Sequence, residues 1–276
     1  MVGRFTWKHA LKVVLVMGWS DFVLKYRGSF LGYLWSLAGP LVKFLVILYV
    51  FGPFVSPEIP EYPLYLFLGI IMWEHFVLTT SSCITALIEK ASIVQTMIFP
   101  RILLMLTAGW TNMIIFFTHF VIFCVFALLL RVPLHFAQLL FVLILFHMFF
   151  IAVGIGMLLS AYSLKYRDIP HLWGIISQTL FWLTPIMYQY QPRLPLSQAF
   201  MELFLHPLQF SLRSVFDVFV QFQPLSILVY DARRILLYRE IPSWTHFVWF
   251  TLICIGLFAF AAVIFQRRSR DFLQEY

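Results

Sequence analysis

Long apolar runs alternate along this chain with short segments that hold most of its charge. A helix needs about 20 mostly apolar residues to cross the roughly 30 Å hydrocarbon core of a bilayer. The pattern predicts six such spans, at about 31–55, 64–87, 102–130, 136–162, 172–190 and 247–265. Ahead of the first, Trp7, Leu11, Val14, Gly18 and Phe22 recur at three- and four-residue steps, with Lys8, Lys12 and Asp21 on other faces. That spacing predicts, within 1–30, an amphipathic helix lying on the membrane surface. Between the fifth and sixth spans, Leu196 to Trp244 holds apolar stretches too short or too interrupted to cross, broken at His206-Pro207 and Gln223-Pro224. Backbone turns back inside a membrane only where protein or a water-filled cavity satisfies its polar groups. Pro224 to Leu237 therefore reads either as part of a re-entrant helical hairpin, about 196–240, or as an amphipathic helix on the outer surface. The expected fold is all-α: a polytopic integral membrane protein with six transmembrane helices, an interface helix, a re-entrant hairpin before the last span, a transmembrane domain over 31–265 and a tail over 266–276.

Composition narrows the class. With 62% hydrophobic and 11% charged residues among 276, the chain lies far from the roughly 45–50% apolar content of soluble domains. The net charge of +7 comes from residues scattered between apolar runs rather than gathered in one stripe, which points to membrane topology and not to nucleic acid. Arg4, Lys8, Lys12, Lys25, Arg27, Lys90, Arg101, Lys165, Arg167, Arg267, Arg268 and Arg270 fall on one side of the six-span arrangement. Most of the remainder sit in the long segment before the last span, which weighs little in the positive-inside rule. Both termini are thus expected in the cytoplasm. The first thirty residues lack a short apolar core followed by a small-residue cleavage site, so no removable signal peptide is expected. Cys83, Cys124 and Cys254 lie apart in apolar runs and read as small buried hydrophobes.

No catalytic set emerges. The histidines form no i, i+4 metal pair, and neither a Gly-x-Ser-x-Gly elbow nor a phosphate-binding Gly-x-x-x-x-Gly-Lys-Ser/Thr loop is present. Lys43 is more informative. It falls about 18 Å into the first span at 1.5 Å per residue, where a lipid-facing charge costs at least about 3 kcal/mol. Glu74 lies at a similar place in the second span, so an ion pair between them, beside a conduit or purely structural, is expected. Lys25 and Arg27 sit at headgroup depth, where cations either pair with a lipid-linked pyrophosphate or simply anchor the chain.

Lys25-Tyr26-Arg27-Gly28-Ser29-Phe30-Leu31-Gly32-Tyr33-Leu34-Trp35 with downstream Pro40 resembles the approach to the first span of ABC-2 polysaccharide exporter permeases. Three further segments are similar to that family in the same order. They are Ala91 to Arg101 with its Phe99-Pro100-Arg101, Arg167-Asp168-Ile169 before the fifth span, and Phe181-Trp182-Leu183-Thr184-Pro185-Ile186-Met187-Tyr188 at its end. Gln223-Pro224 followed by Arg233 is a looser match, and about twenty residues around Leu196 to Gln221 are extra relative to the family pattern.

The resemblance implies a non-enzymatic permease in the bacterial cytoplasmic (inner) membrane. It implies a homodimer working with two copies of an ABC ATPase subunit, which would hold the ATP and Mg, while this chain itself carries no cofactor or metal. The implied cargo is an O-antigen-like glycan on an undecaprenyl pyrophosphate-type carrier. Glu89, Lys90, Phe99, Pro100 and Arg101 would couple to the ATPase. Lys25 and Arg27 would meet the lipid headgroup; Lys43, Glu74, Tyr33, Trp35, Trp182 and Tyr188 are conduit candidates; and Pro224, Asp231 and Arg233 would form an external gate. Competing readings are an ABC-2 permease for a small drug or peptide, a membrane-embedded lipid-linked glycosyltransferase, which should cluster carboxylates at the membrane face, and an ion-coupled secondary transporter, which should show internal repeats.

Overall fold

The structure, a computed structural model, describes residues 7–30, 32–55, 59–91, 100–133, 135–190 and 212–271. Its described elements are helical: α1 (Trp7–Tyr26), α2 (Leu34–Val55), α3 (Tyr62–Glu89), α4 (Ile102–Leu129), a 3₁₀ turn over Phe136–Leu140 leading into α5 (Phe141–Ser163), α6 (Ile169–Leu183), α7 (Leu212–Phe222), α8 (Pro224–Leu236) and α9 (Trp244–Asp271). Five of these, α2, α3, α4, α9 and α5 with its 3₁₀ turn, are long and apolar enough to cross a membrane. The protein is multi-pass.

The bundle is built around α3, which packs against α2, α4, α5, α6 and α8. Its most apolar stretch is 78% buried, against 22% for those of α2 and α9, although its mean hydropathy of 1.4 is the lowest of the five. The physical reason is solvent. Helices facing lipid must be apolar all round, whereas a central helix can carry Glu74, His75 and Thr80 because neighbouring helices supply partners for them. Thr80 donates to Phe76 O at 2.9 Å and receives the Trp173 indole N–H of α6 at 2.9 Å. Asn112 of α4 donates to Leu78 O and Ser82 Oγ at 3.2 and 3.0 Å.

The fifth expected span differs from its prediction. The helix covers Ile169–Leu183 and does not reach Tyr190. Its 15 residues span about 22 Å at 1.5 Å each, short of a roughly 30 Å core. Pro185 explains the stop: it disfavours helical geometry at the residue before it, and Thr184 is extended, with ψ 136°. The last helix departs the other way and continues through Arg267 and Arg268 to Asp271, because no breaker follows Phe265.

The α1 helix is less one-sided than its spacing suggests. Val14 and Gly18 are buried, but Trp7 and Leu11 of the same stripe are exposed, as are Val16, Trp19 and Leu24 on other faces. The helix leans on α4 at one close point. A Cβ on Gly18 would meet Trp110 at 2.6 Å, and the Thr111 hydroxyl donates to Gly18 O at 3.2 Å. The turn from α1 into α2 needs its glycines, since Gly28 and Gly32 have φ of +80° and +49°.

In the region expected to re-enter, two short helices, α7 and α8, meet at Gln223-Pro224, and α8 packs on α5 and α3. Pro224 stands in the first turn of α8, where its missing N–H costs nothing. Phe99, Leu31, most of the extra segment around Leu196 to Gln221 and the end of the tail lie outside the described residues.

Candidate functional site

The two intramembrane charges meet. Lys43 of α2 forms an ion pair with Glu74 of α3, and its ammonium stands 5.0 Å from the centre of the Phe181 ring of α6. The pair is not sealed: the side chains are 38% and 20% exposed. Lys43 faces a cavity of about 640 Å³ lined by Trp35, Gly39, Lys43, Val46, Phe181 and Trp182. A second cavity of about 400 Å³ lies beside it, lined by Lys25, Tyr26, Ser29, Trp35, Ser36, Gly39 and Glu74. Trp35 and Gly39 line both, so the two form one groove from the α1–α2 turn along α2 to Trp182. A Cβ on Gly39 would meet nothing within 4 Å.

Several conduit candidates are thereby brought together, and two are not. Trp35, Lys43, Glu74 and Trp182 share the groove. Tyr33 instead turns toward α1, its ring 6.0 Å from Phe22 and 5.7 Å from Tyr26. Tyr188 lies in the extended segment after α6, donating to Leu183 O at 3.0 Å.

At the groove's α1 end, Lys25 is exposed as a residue, yet the protein around its ammonium lowers its pKa from the ordinary lysine value. The Glu89 carboxylate opposes that shift and raises it. One turn earlier on α1, Asp21 accepts an ion pair from Lys90, at the end of α3. Two opposite-charge relations thus tie α1 to the segment that leads toward Pro100 and Arg101. Arg27 is exposed in the turn, as are Glu89 and Pro100, while Arg101 precedes the first turn of α4.

The third constellation surrounds the break after α6. Arg233 of α8 is 3% exposed and has no carboxylate partner among the described residues. Its guanidinium donates to Pro185 O and Ile186 O at 2.7 Å each and to Tyr65 O at 3.1 and 3.3 Å. Its central carbon lies over the Tyr65 ring, 3.3 Å from the centroid. The Tyr62 and Tyr65 hydroxyls donate to Met187 O and Tyr188 O at 3.0 and 2.9 Å. Gln223 bridges Thr184 and Ser226, at 3.0 and 2.8 Å. Non-helical backbone buried among apolar helices must find such donors. Asp231, 2% exposed, turns away from Arg233 and pairs with His246 Nε2 of α9 at 2.7 Å.

Sequence reasoning missed this hub's supports. One signal was available: Gly69 lies in the middle of an apolar span, where glycine has no local use, and here a Cβ would strike Arg233 Nη2 at 2.6 Å. The Asp21–Lys90 pair had no such signal, since 69 residues separate the partners.

The site is a charged, tryptophan-lined groove along one flank of a multi-pass membrane bundle. The comparisons specify the kind of membrane protein. Residues 12–206 match the family described as ABC-2 type transporter, and the chain belongs to it. It is similar to the O-antigen export system permease protein RfbA of Myxococcus xanthus, with 24% identity over 251 residues, covering 91% of this chain and 90% of that protein. A protein of the same name from Klebsiella pneumoniae is 25% identical over 191 residues, 67% of this chain and 72% of that one.

Proposed function

We propose that the chain is the membrane subunit of an ATP-driven exporter that moves a lipid-linked polysaccharide, an O-antigen-like cell-envelope glycan, outward across the bacterial cytoplasmic membrane. It acts as a homodimer whose facing surfaces enclose the conduit, and ATP and Mg are bound by a separate pair of ATPase subunits. The observation that carries this reading is the groove along α2. In a single chain its aromatic and charged residues face outward: Trp35 is 60% and Trp182 54% exposed. A charged groove is unsuited to lipid, and a second copy laid against it would close it into a channel. The polymer class rests on the relatives named O-antigen export permeases.

On this reading α1, the end of α3, Pro100 and Arg101 face the cytoplasm. The carrier's pyrophosphate meets Lys25 and Arg27 at the groove's cytoplasmic mouth, where Lys25, Tyr26 and Ser29 line the cavity and offer donors to an anion, with Arg27 exposed in the adjoining turn. Glu89, Lys90, Phe99, Pro100 and Arg101 take the push of ATPase closure, and α1 moves with them. Pro224, Asp231 and Arg233 lie at the external end.

The test is co-purification with candidate ABC ATPases followed by ATP hydrolysis in lipid, alongside surface polymer in cells. A stable complex, with hydrolysis uncoupled from export by Glu89→Ala plus Arg101→Ala, is the expected result. If no ATPase binds in any lipid, the exporter reading falls.

A further inference from the structure

A third cavity, of about 490 Å³, opens where α8, the start of α9 and the segment after α6 converge. Its walls combine the rings of Tyr190, Tyr230 and Tyr238 with the Asp231 carboxylate, the His246 imidazole and the Gln189 carboxamide. This lining is unlike that of the neighbouring apolar cavity between α5, α6 and α7. It is also largely prearranged. His246 holds one oxygen of Asp231 at 2.7 Å, and Tyr190 donates to the Asp217 carboxylate at 3.0 Å while accepting from Gln221. Arg234 is fixed by Glu240 at 2.8 Å. The Tyr238 hydroxyl is buried without a partner among the described residues.

We infer that this cavity is a sugar-binding subsite at the external mouth, which holds one or two residues of the emerging glycan. The inference rests on the polysaccharide reading and adds a place where the polymer is gripped. A pyranose ring presents a face of C–H groups and a rim of vicinal hydroxyls. Tyrosine rings suit the first; a carboxylate and carboxamides, which accept or donate two bonds in one plane, suit the second. The volume falls at the lower end of the roughly 300–1,000 Å³ typical of small-ligand sites, enough for a disaccharide and too small for a folded partner. Asp231 is the specificity element: buried on one side by His246, its carboxylate can accept from the sugar without competition from bulk water. An external grip of this kind would disfavour backsliding of the polymer between strokes.

The test uses cells that make the polymer and the full chain, with p-benzoylphenylalanine in place of either Tyr230 or Trp182. Both positions are more than half exposed, so neither replacement disturbs the core. Illumination at 230 is expected to give a carbohydrate-staining ladder that disappears in a strain unable to start polymer synthesis, and whose yield falls several-fold with Asp231→Asn. A ladder from 182 but none from 230 overturns the subsite while leaving the export reading standing. A ladder from 230 that Asp231→Asn leaves unchanged also overturns it, since the polymer would then merely pass by. If neither position gives a ladder, the polysaccharide reading falls and the subsite with it. Expression of Asp231→Asn is checked by size-exclusion chromatography, and His246→Gln, which keeps a hydrogen-bonding partner for Asp231, is expected to lower the yield less.

Discussion

At the residue scale, the folded state depends on a few side chains that meet buried backbone. Arg233 is the clearest, for it serves carbonyls from three residues with one planar guanidinium. Leaving a buried acceptor without a donor costs about 1–3 kcal/mol. Arg233→Met should therefore abolish most folded protein, read as loss of the monodisperse peak after mild heating in detergent. Arg233→Lys should recover only part of it, because an ammonium lacks the planar fork. Gly69→Ala acts on the same hub from the other side and should cost about 1–3 kcal/mol by overpacking, a drop of several degrees in the same assay. Lys43 and Glu74 behave differently because their pair is partly open. Lys43→Met alone strands a carboxylate in the groove and should lower yield; Lys43→Met with Glu74→Met should restore folding while surface polymer stays low. Normal polymer in the double variant would reduce the pair to a structural feature.

At the element scale, the tie between α1 and α3 is the feature that could pass motion. An ion pair with side chains 18% and 31% exposed is worth about 0.2–1 kcal/mol by itself, too little to hold a helix. Most of the packing of α1 is on α4, around the close contact at Gly18, and the Asp21–Lys90 pair joins the helix to the end of α3. Asp21→Lys or Lys90→Asp should each raise hydrogen exchange over residues 19–26, and the double exchange should return it to the native level. Sequence periodicity located α1 but overstated its amphipathicity, since apolar residues also occupy Val16, Trp19 and Leu24 outside the stripe. It found α6 and misjudged its end: hydropathy continues past Pro185, whereas the backbone does not.

At the scale of the whole molecule, the arrangement has a polar-tolerant centre and an open, charged flank. The central α3 is covered by its neighbours, and α2, with its groove, is left open on the outside. Because nothing lies within 4 Å of a Cβ at Gly39, Gly39→Trp should fold normally and be inserted at native levels. It should nevertheless block the groove and stop surface polymer, while binding of the ATPase persists. Retained export in a well-expressed Gly39→Trp chain would move the path elsewhere.

The sequence by itself determined that the chain is a multi-pass helical membrane protein and where four of its spans begin and end to within about a turn, and it pointed to a pairing of Lys43 with Glu74 that the structure contains. Hydropathy runs are local, and a charge deep in a span needs a partner wherever the fold puts it. Only the tertiary structure decided that α3 is the centre, that α6 stops at a stapled break, that Tyr33 belongs to the α1 contact, and that Asp231 and Arg233 face different partners. Those outcomes depend on which helix faces lie against one another, and residues as far apart as Tyr65 and Arg233 share no local pattern from which their contact could be read.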